Sequence, residues 1–422
     1  MEDQHQPEVL LSATLWWPTS ARLAMAFLKA GCRVSAICPG GHPLRAVSGV
    51  STIYPYQGLD SAGSLLASIR SAKPDIIVPC DDGAVWQLHA LHRSEPEFRP
   101  LIERSLGAPQ GYPFLESRVL TLQAGTELGI RVPFTRAIES IAELRAPDLE
   151  WPAVLKLDGT WGGEGVVPVK SPEQAAAVFP SLFGARRTAI AWKQFFANGH
   201  PLALWLWRRR RGSIATLQKF IHGRQATTMF ACWNGEVLAS VIVEVLASKG
   251  PMGAATLLRR LRNDEIERAS RLMARRFKLS GFHGLDFLLE DGTDEPFLIE
   301  MNPRATQLGH LNLNPEGNLA EALAAKLANR PVAASPGASC IQHQVIALFP
   351  HAWKTDPDSK FLLSAYHDVP WEQPALVREL IRKPWPERRM LHRILTSLRI
   401  LTPRETKVSD PSGKEDNTPL AS

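Results

Sequence analysis

The chain has 422 residues, 45% of them hydrophobic, and five scattered cysteines, Cys32, Cys38, Cys80, Cys232 and Cys340. Its length exceeds the roughly 250–300 residues that one core sustains, so two or three domains are expected; no apolar run approaches the roughly 18 residues of a membrane span. The formal net charge is +6, and nine basic and three acidic residues between Leu376 and Lys407 account for all of it, so a globally basic nucleic-acid binder is not indicated.

The polar, acidic start Met1–Glu8 lacks the basic segment and apolar core of a signal peptide. An odd number of cysteines with no CxxC argues against a disulfide framework or a zinc site and fits a reducing cytoplasm.

In chain order, a strand is expected at Val9–Ala13, then Trp16-Trp17-Pro18-Thr19-Ser20, a helix from Ala21 to Ala30 ended by Gly31, and a strand at Arg33–Ile37. This is a βαβ unit. Its first loop has no GxGxxG, so a dinucleotide site fails at the residue level. A helix at Ser61–Ser71 leads to the strand Asp75–Cys80. Asp81 and Asp82 follow it, where they can cap the helix Gly83–His92 or face a ligand at the strand's carboxyl end.

Glu116–Leu128 reads as a helix, and Arg131–Phe134 opens a new strand. Next, two apolar strands flank a glycine-rich loop, from Ala153 to Val167, with Lys156 projecting opposite to Leu155 and Leu157. Gly162, Gly163 and Gly165 let backbone N–H groups approach phosphate, although a mobile surface turn has the same composition. Trp192, Trp205 and Trp207 stand near Arg208-Arg209-Arg210-Arg211. This reads as helices with solvated arginines ahead of a nucleic-acid or membrane surface. Strands Ile214–Ile221, Ala226–Trp233 and Val237–Val245 follow, the last two joined by Asn234-Gly235, then the helix Asn263–Phe277.

The most informative stretch is Gly284–Gly309, a hairpin turning at Asp291-Gly292. Alternation puts Leu285, Phe287 and Leu289 on one face with Ile299 and Met301, and Asp286, Glu300 and Asn302 on the other. With Asp286 opposite Glu300, two carboxylates repel unless a cation lies between them. Carboxylate and carboxamide oxygens suit Mg²⁺, and Arg304 offers a planar cation for phosphate. Ordinary surface charge is the alternative for the hairpin alone.

The order of a βαβ unit, a Lys strand, a Gly-rich flap, antiparallel strands and then Asp286…Glu300-x-Asn302-x-Arg304 resembles the ATP-grasp superfamily, over roughly Pro7 to Arg330. The resemblance implies an α/β and α+β chain: a Rossmann-like domain at 1–112 and an ATP-grasp domain at 113–330 with its flap at about 131–220; beyond Arg330 it fades, leaving a C-terminal extension at 331–402 and a polar, Pro-, Gly- and Ser-containing tail at 403–422 expected to be disordered. It implies ATP and Mg²⁺ (or Mn²⁺) as cofactors. Lys156, Gly162, Gly163 and Gly165 would grip nucleotide, with Gln218, Phe220, Ile221 and Gln225 at the adenine hinge and ribose, Arg118 as a second cation, Asp286, Glu300 and Asn302 on the metal, and Arg304 and Lys156 in catalysis. Gln218 and Gln225 depart from the usual glutamates, and Arg118 replaces a lysine.

The implied activity is carboxylate–amine ligation through an acyl phosphate, releasing ADP and phosphate. The partners would be a small carboxylate and a nucleophile, without nucleic acid or a membrane span, in a cytoplasmic protein open to homodimerisation. A regulatory ATP-binding adaptor is the alternative. His283, His310 and Arg259 are candidates to touch substrate. Met390, Leu391, Ile394, Leu395 and Leu398 have helical spacing and suggest a docked C-terminal helix.

Overall fold

The computed structural model describes residues 5–157, 165–183, 215–250, 253–313, 318–331, 340–384 and 388. Its N-terminal part is a parallel sheet in the order β3-β2-β1-β4, formed by β1 (Glu8–Ser12), β2 (Arg33–Cys38), β3 (Thr52–Pro55) and β4 (Ile76–Pro79). Strands buried on both faces read as continuous apolar runs, and Val9–Leu11 and Ile76–Val78 do so. Helices α1 (Thr19–Lys29), α2 (Ser61–Ala72), α3 (Asp82–Ser94) and α4 (Arg99–Leu106) accompany it. β3 and α4 were not foreseen from the sequence; β3 is short and half-exposed, with no apolar run to mark it.

The short α5 (Tyr112–Glu116) and α6 (Arg118–Glu127) lead to a four-stranded antiparallel sheet. Its order is β5-β8-β6-β7, with β5 (Thr135–Ile138), β6 (Ala153–Leu157), β7 (Val166–Val169) and β8 (Ala215–Lys219). The expected strand start at Arg131 is corrected to Thr135, because Pro133 removes a ladder donor from the earlier residues. Helix α7 (Pro172–Phe183) covers this sheet through Ala175, Phe179 and Leu182.

The central sheet has seven strands in the order β13-β12-β9-β10-β11-β14-β15. They are β9 (Gly223–Trp233), β10 (Glu236–Ser248), β11 (Ala255–Arg260), β12 (Gly281–Glu290), β13 (Pro296–Asn302), β14 (Val345–Leu348) and β15 (Tyr366–Asp368). One face packs on α6 and on α8 (Asp264–Phe277), whose Asn263 accepts from Ile266 N–H as its cap. The other face shares a core with the parallel sheet, α1 and α9 (Leu319–Leu327), through Met229, Val241, Leu23, Phe27 and Leu323.

The C-terminal extension is built into this architecture. β14 pairs antiparallel with β11, and β15 lies parallel to β14. Helices α10 (His351–Thr355) and α11 (Pro374–Ile381) flank them, and α11 buries Leu376 and Leu380 in the core shared with α1. Arg388 makes a bidentate pair with Glu379 of α11. The rest of the expected C-terminal helix, residues 389–402, and the tail at 403–422 lie outside the described residues, as does the Trp/Arg stretch. Among the described residues no helix is long and apolar enough to cross a membrane.

Candidate functional site

Strand register puts the carboxylates together. Asp286 lies directly opposite Glu300 across β12 and β13, and opposite Thr227 on β9. A bulge follows immediately: Phe287 pairs with Leu298, so Ile299 is the extra residue. The expectation that Ile299 shares the core face is therefore corrected, and Leu298 takes that place, fully buried. The bulge leaves Glu300 and Asn302 on the same face as Asp286, with Asn302 Nδ2 donating to Asp286 at 2.9 Å.

Cations surround the pair. Arg118, at the first position of α6, donates to Glu300 at 2.9 Å, and the Ser117 hydroxyl caps that helix. Arg304 donates through Nη2 to Asn302 Oδ1 at 3.1 Å and through Nε to Asp82 at 2.9 Å. Burial would raise the Glu300 carboxyl, yet Arg118, Lys156 and Arg304 hold it below its ordinary value; its side chain keeps 37% of its surface open. Asp286 moves the other way, raised by burial and by the charge of Glu300. The opposed directions follow from unequal surroundings: three cations act on Glu300, whereas Asp286 is governed by burial and by the facing charge.

Lys156 reaches the site from β6 of the smaller sheet, its Nζ donating to Gln218 Oε1 at 2.6 Å, and Gln218 in turn donates to the Thr135 hydroxyl at 3.1 Å. Phe220 and Ile221 join β8 to β9, between the smaller and the central sheet, with Phe220 N–H donating to Pro152 O at 3.0 Å. Gln225 pairs with Leu288, two positions along from Thr227, and so shares the face of Asp286. Gly165 has φ +76°, a left-handed conformation that favours glycine. Gly162 and Gly163 lie outside the described residues.

The site abuts the carboxyl ends of β1 and β4, the topological switch point of the parallel sheet, where open α/β sheets bind ligands. Of the two roles that the sequence left open, Asp81 takes the helix cap, and Asp82 is engaged by Arg304. Asp81 accepts from Thr14 N–H and Oγ1 (2.7 and 2.6 Å) and Leu15 N–H (3.0 Å), and it caps α3 through Ala84 N–H. Asp82 takes Arg304, and Ala305 N–H donates to Pro79 O at 3.0 Å, so the loop after β13 is docked on β4.

Residues 117–307 match the ATP-grasp domain family. The chain carries an ATP-grasp domain. No curated protein matches by sequence. Among solved structures, N5-carboxyaminoimidazole synthetase from Staphylococcus aureus complexed with ADP is 13% identical at a TM-score of 0.56, covering 78% of this chain and 79% of that one. An L-amino acid ligase from Bacillus licheniformis is 14% identical at 0.54, covering 77% and 76%. The biotin carboxylase domain dimer of 2-oxoglutarate carboxylase from Hydrogenobacter thermophilus, in complex with MgADP, is 14% identical at 0.56, covering 78% and 71%. At these identities the likeness is one of fold.

Within the ATP-grasp domain, two of the candidate substrate contacts fall elsewhere. The column Glu300–Asp286–Thr227–Val243–Arg260 runs across the sheet on the site face, whereas Arg259 belongs to the neighbouring column Phe287–Ala226–Glu244 on the opposite face. There Arg259 pairs with Glu244 at 3.3 Å. His283 alternates with Leu285 onto that same face, fully buried, its Nε2 on Ser280 O, and burial lowers its pKa to about 4.

His310 belongs to a separate cluster that sequence reasoning missed. Asp368 of β15 accepts from Arg22 of α1 at 2.5 Å and pairs with His310 Nε2 at 2.7 Å. Burial raises the Asp368 carboxyl, but His310 and Arg22 overcome it and bring it down to about 2. The polar density of Ser364–Trp371 was the available signal; the partners, 346 and 58 positions away, were not legible.

Proposed function

We propose that the chain is an ATP-dependent ligase that activates a small carboxylate as an acyl phosphate and joins it to an amine or related nucleophile, releasing ADP and phosphate. The observation that carries this is the cross-strand pairing of Asp286 with Glu300, ringed by Arg118, Lys156 and Arg304. Two carboxylates and the Asn302 carboxamide form a hard oxygen set that fits Mg²⁺. Among the described residues no group of three His, Cys, Asp or Glu side chains could hold a metal, so nucleotide phosphates would complete the set.

In this reading Asp286, Glu300 and Asn302 hold the ion, which when bound screens the phosphate oxygens. Lys156, oriented by Gln218, takes phosphate oxygens from the side of the smaller sheet. The segment Gln218–Ile221 and Gln225 bind the base and ribose, and the loop through Gly162, Gly163 and Gly165 covers the phosphates. Arg118 neutralises charge beside Glu300. Arg304, fixed by Asp82, faces the transferring phosphoryl group, where preorganised cations contribute most. A carboxylate oxygen attacks the γ-phosphorus as the bond to ADP breaks. The nucleophile then attacks the acyl carbon, and phosphate leaves with the C–O electron pair.

The relative crystallised as a dimer supports a homodimer here as well. The deciding experiment is a screen of carboxylic and amino acids for substrate-stimulated ADP release, with hydroxylamine to trap acyl phosphate. Hydroxamate formation with one acid class supports the reading; ATP binding with no stimulated turnover across the screen removes it.

A further inference from the structure

The segment Trp17–Arg22 enters α1 from the carboxyl end of β1, beside the crevice that Arg304 and Asp82 close. Its polar groups are poorly satisfied. The Trp17 Nε1, Thr19 Oγ1 and Arg22 Nε atoms are all buried without a hydrogen-bond partner. Thr19 is 8% exposed and occupies the first helical position. Pro18 at the cap offers no side-chain acceptor, and the first turn of α1 has no acidic residue. Helix N-termini carry unsatisfied N–H donors and partial positive charge, and buried donors are normally paired. Three orphan donors at one uncapped helix start therefore call for an acceptor.

Contacts within the segment leave that demand unmet. The Ser20 hydroxyl donates to Trp17 O at 2.6 Å, while Trp17 N–H and Ser20 Oγ lie 3.4 and 3.5 Å from His42 Nε2. Arg22 gives Nη2 to Asp368 and Nη1 to Met25 Sδ at 3.5 Å. Asp368 thus holds one edge of the guanidinium and leaves the Nε edge without an acceptor. Arg22 and Asp368 are 12% and 4% exposed, and His310 on the other carboxylate oxygen is also 4% exposed, so Asp368 is held from both sides in a largely buried setting.

We infer that the start of α1, with Thr19 Oγ1, Trp17 Nε1 and Arg22 Nε, is an anion subsite that takes a carboxylate or phosphate group of one of the substrates. Asp368 of the C-terminal extension is its positioning residue. The subsite deepens the ligase reading, and rests on it for the statement that the anion belongs to a substrate. The segment follows the carboxyl end of β1, where Thr14 and Leu15 are tied to Asp81, the neighbour of the Asp82 that holds Arg304, so the subsite lies at the end of the parallel sheet where ligands of such sheets bind.

The test is thermal unfolding of the full chain, titrated separately with inorganic phosphate and with succinate. Both are run on the wild type, Arg22→Gln, Thr19→Val and Lys156→Ala. The expected result is stabilisation of the wild type by at least one anion, with affinity about tenfold weaker in Arg22→Gln, as for loss of a charge-assisted hydrogen bond. Thr19→Val should weaken it too, and Lys156→Ala should keep it; the tighter-binding anion names the group. If Arg22→Gln does not fold, Thr19→Val, which leaves Asp368 paired, carries the comparison. No stabilisation of the wild type, or a response unchanged in Thr19→Val and Arg22→Gln but lost in Lys156→Ala, overturns the subsite. Anion binding that depends on Arg22, in a protein that never releases ADP, removes the ligase reading and leaves the subsite standing.

Discussion

Replacing Glu300 by glutamine separates a metal-binding role from a structural one. Facing residues have Cβ atoms about 4.5–5.5 Å apart, where two unit charges at an effective dielectric of about 20 repel by about 3 kcal/mol. Glu300 keeps 37% of its side-chain surface exposed, so screening reduces this to about 1–2 kcal/mol. Against that relief stands the weakened bond from Arg118, which falls from a charge-assisted to a neutral hydrogen bond at a loss of about 1 kcal/mol. The two nearly cancel, so the free Glu300→Gln protein should melt close to the wild type. Nucleotide linkage behaves differently. Ligand at a hundred times its Kd stabilises by about 2.7 kcal/mol, and a hundredfold loss of affinity reduces this to about 0.4 kcal/mol. Thermal unfolding with and without MgATP, paired with an ADP-release assay, reads both effects. A variant that keeps the full MgATP shift and turnover would refute the metal assignment. One that melts far below the wild type without ligand would show that Glu300 serves the fold.

Lys156→Ala should lower ATP affinity at least tenfold by calorimetry, since the charge next to Gln218 is lost; unchanged affinity would exclude Lys156 from the phosphate grip. Gly284→Ala would place a Cβ 2.8 Å from Thr306 Cγ2, on the loop that carries Arg304, so turnover should fall more than the melting temperature does. Equal losses in both would mean that the close approach only serves packing. The Asp368 carboxyl, at about 2 in the folded chain against an ordinary 3.8, contributes stability that is complete above about pH 4 and lost as pH falls towards 2, about 2 kcal/mol in all. Asp368→Asn, a neutral isostere of the protonated acid, should flatten that acid limb and destabilise the neutral protein by a similar amount, about 2 kcal/mol; an unaltered limb would assign the acid transition to other groups. Burial lowers His283 from 6.5 to about 4, so its neutral form favours the fold above about pH 6.5 and that contribution is lost as pH falls through 4. His283→Phe should weaken acid sensitivity in that window, and an identical profile would remove the histidine from the account.

Local patterning alone carried the hairpin expected within Gly284–Gly309, which forms over Gly281–Asn302, the facing of Asp286 and Glu300, and the turn of Lys156 away from Leu155 and Leu157. These follow from a two-residue period and a strong turn signal, both complete within a few neighbouring residues. The same period misled at Ile299, because a bulge adds a residue without leaving a mark in the pattern. Arg259 was a candidate substrate contact by residue type alone, and only the register of β9, β10, β11 and β12 put it on the face away from the carboxylates, with Arg260 on theirs. Asp82 with Arg304, Arg118 with Glu300, and Asp368 with Arg22 and His310 join segments 222, 182, 346 and 58 positions apart. Such pairs are decided by packing between sheets rather than by propensity along the chain. The sequence could therefore name the chemistry that lies along β12 and β13, while the identity of the groups holding Arg304 and closing the crevice at β1 and β4 belonged to the tertiary structure.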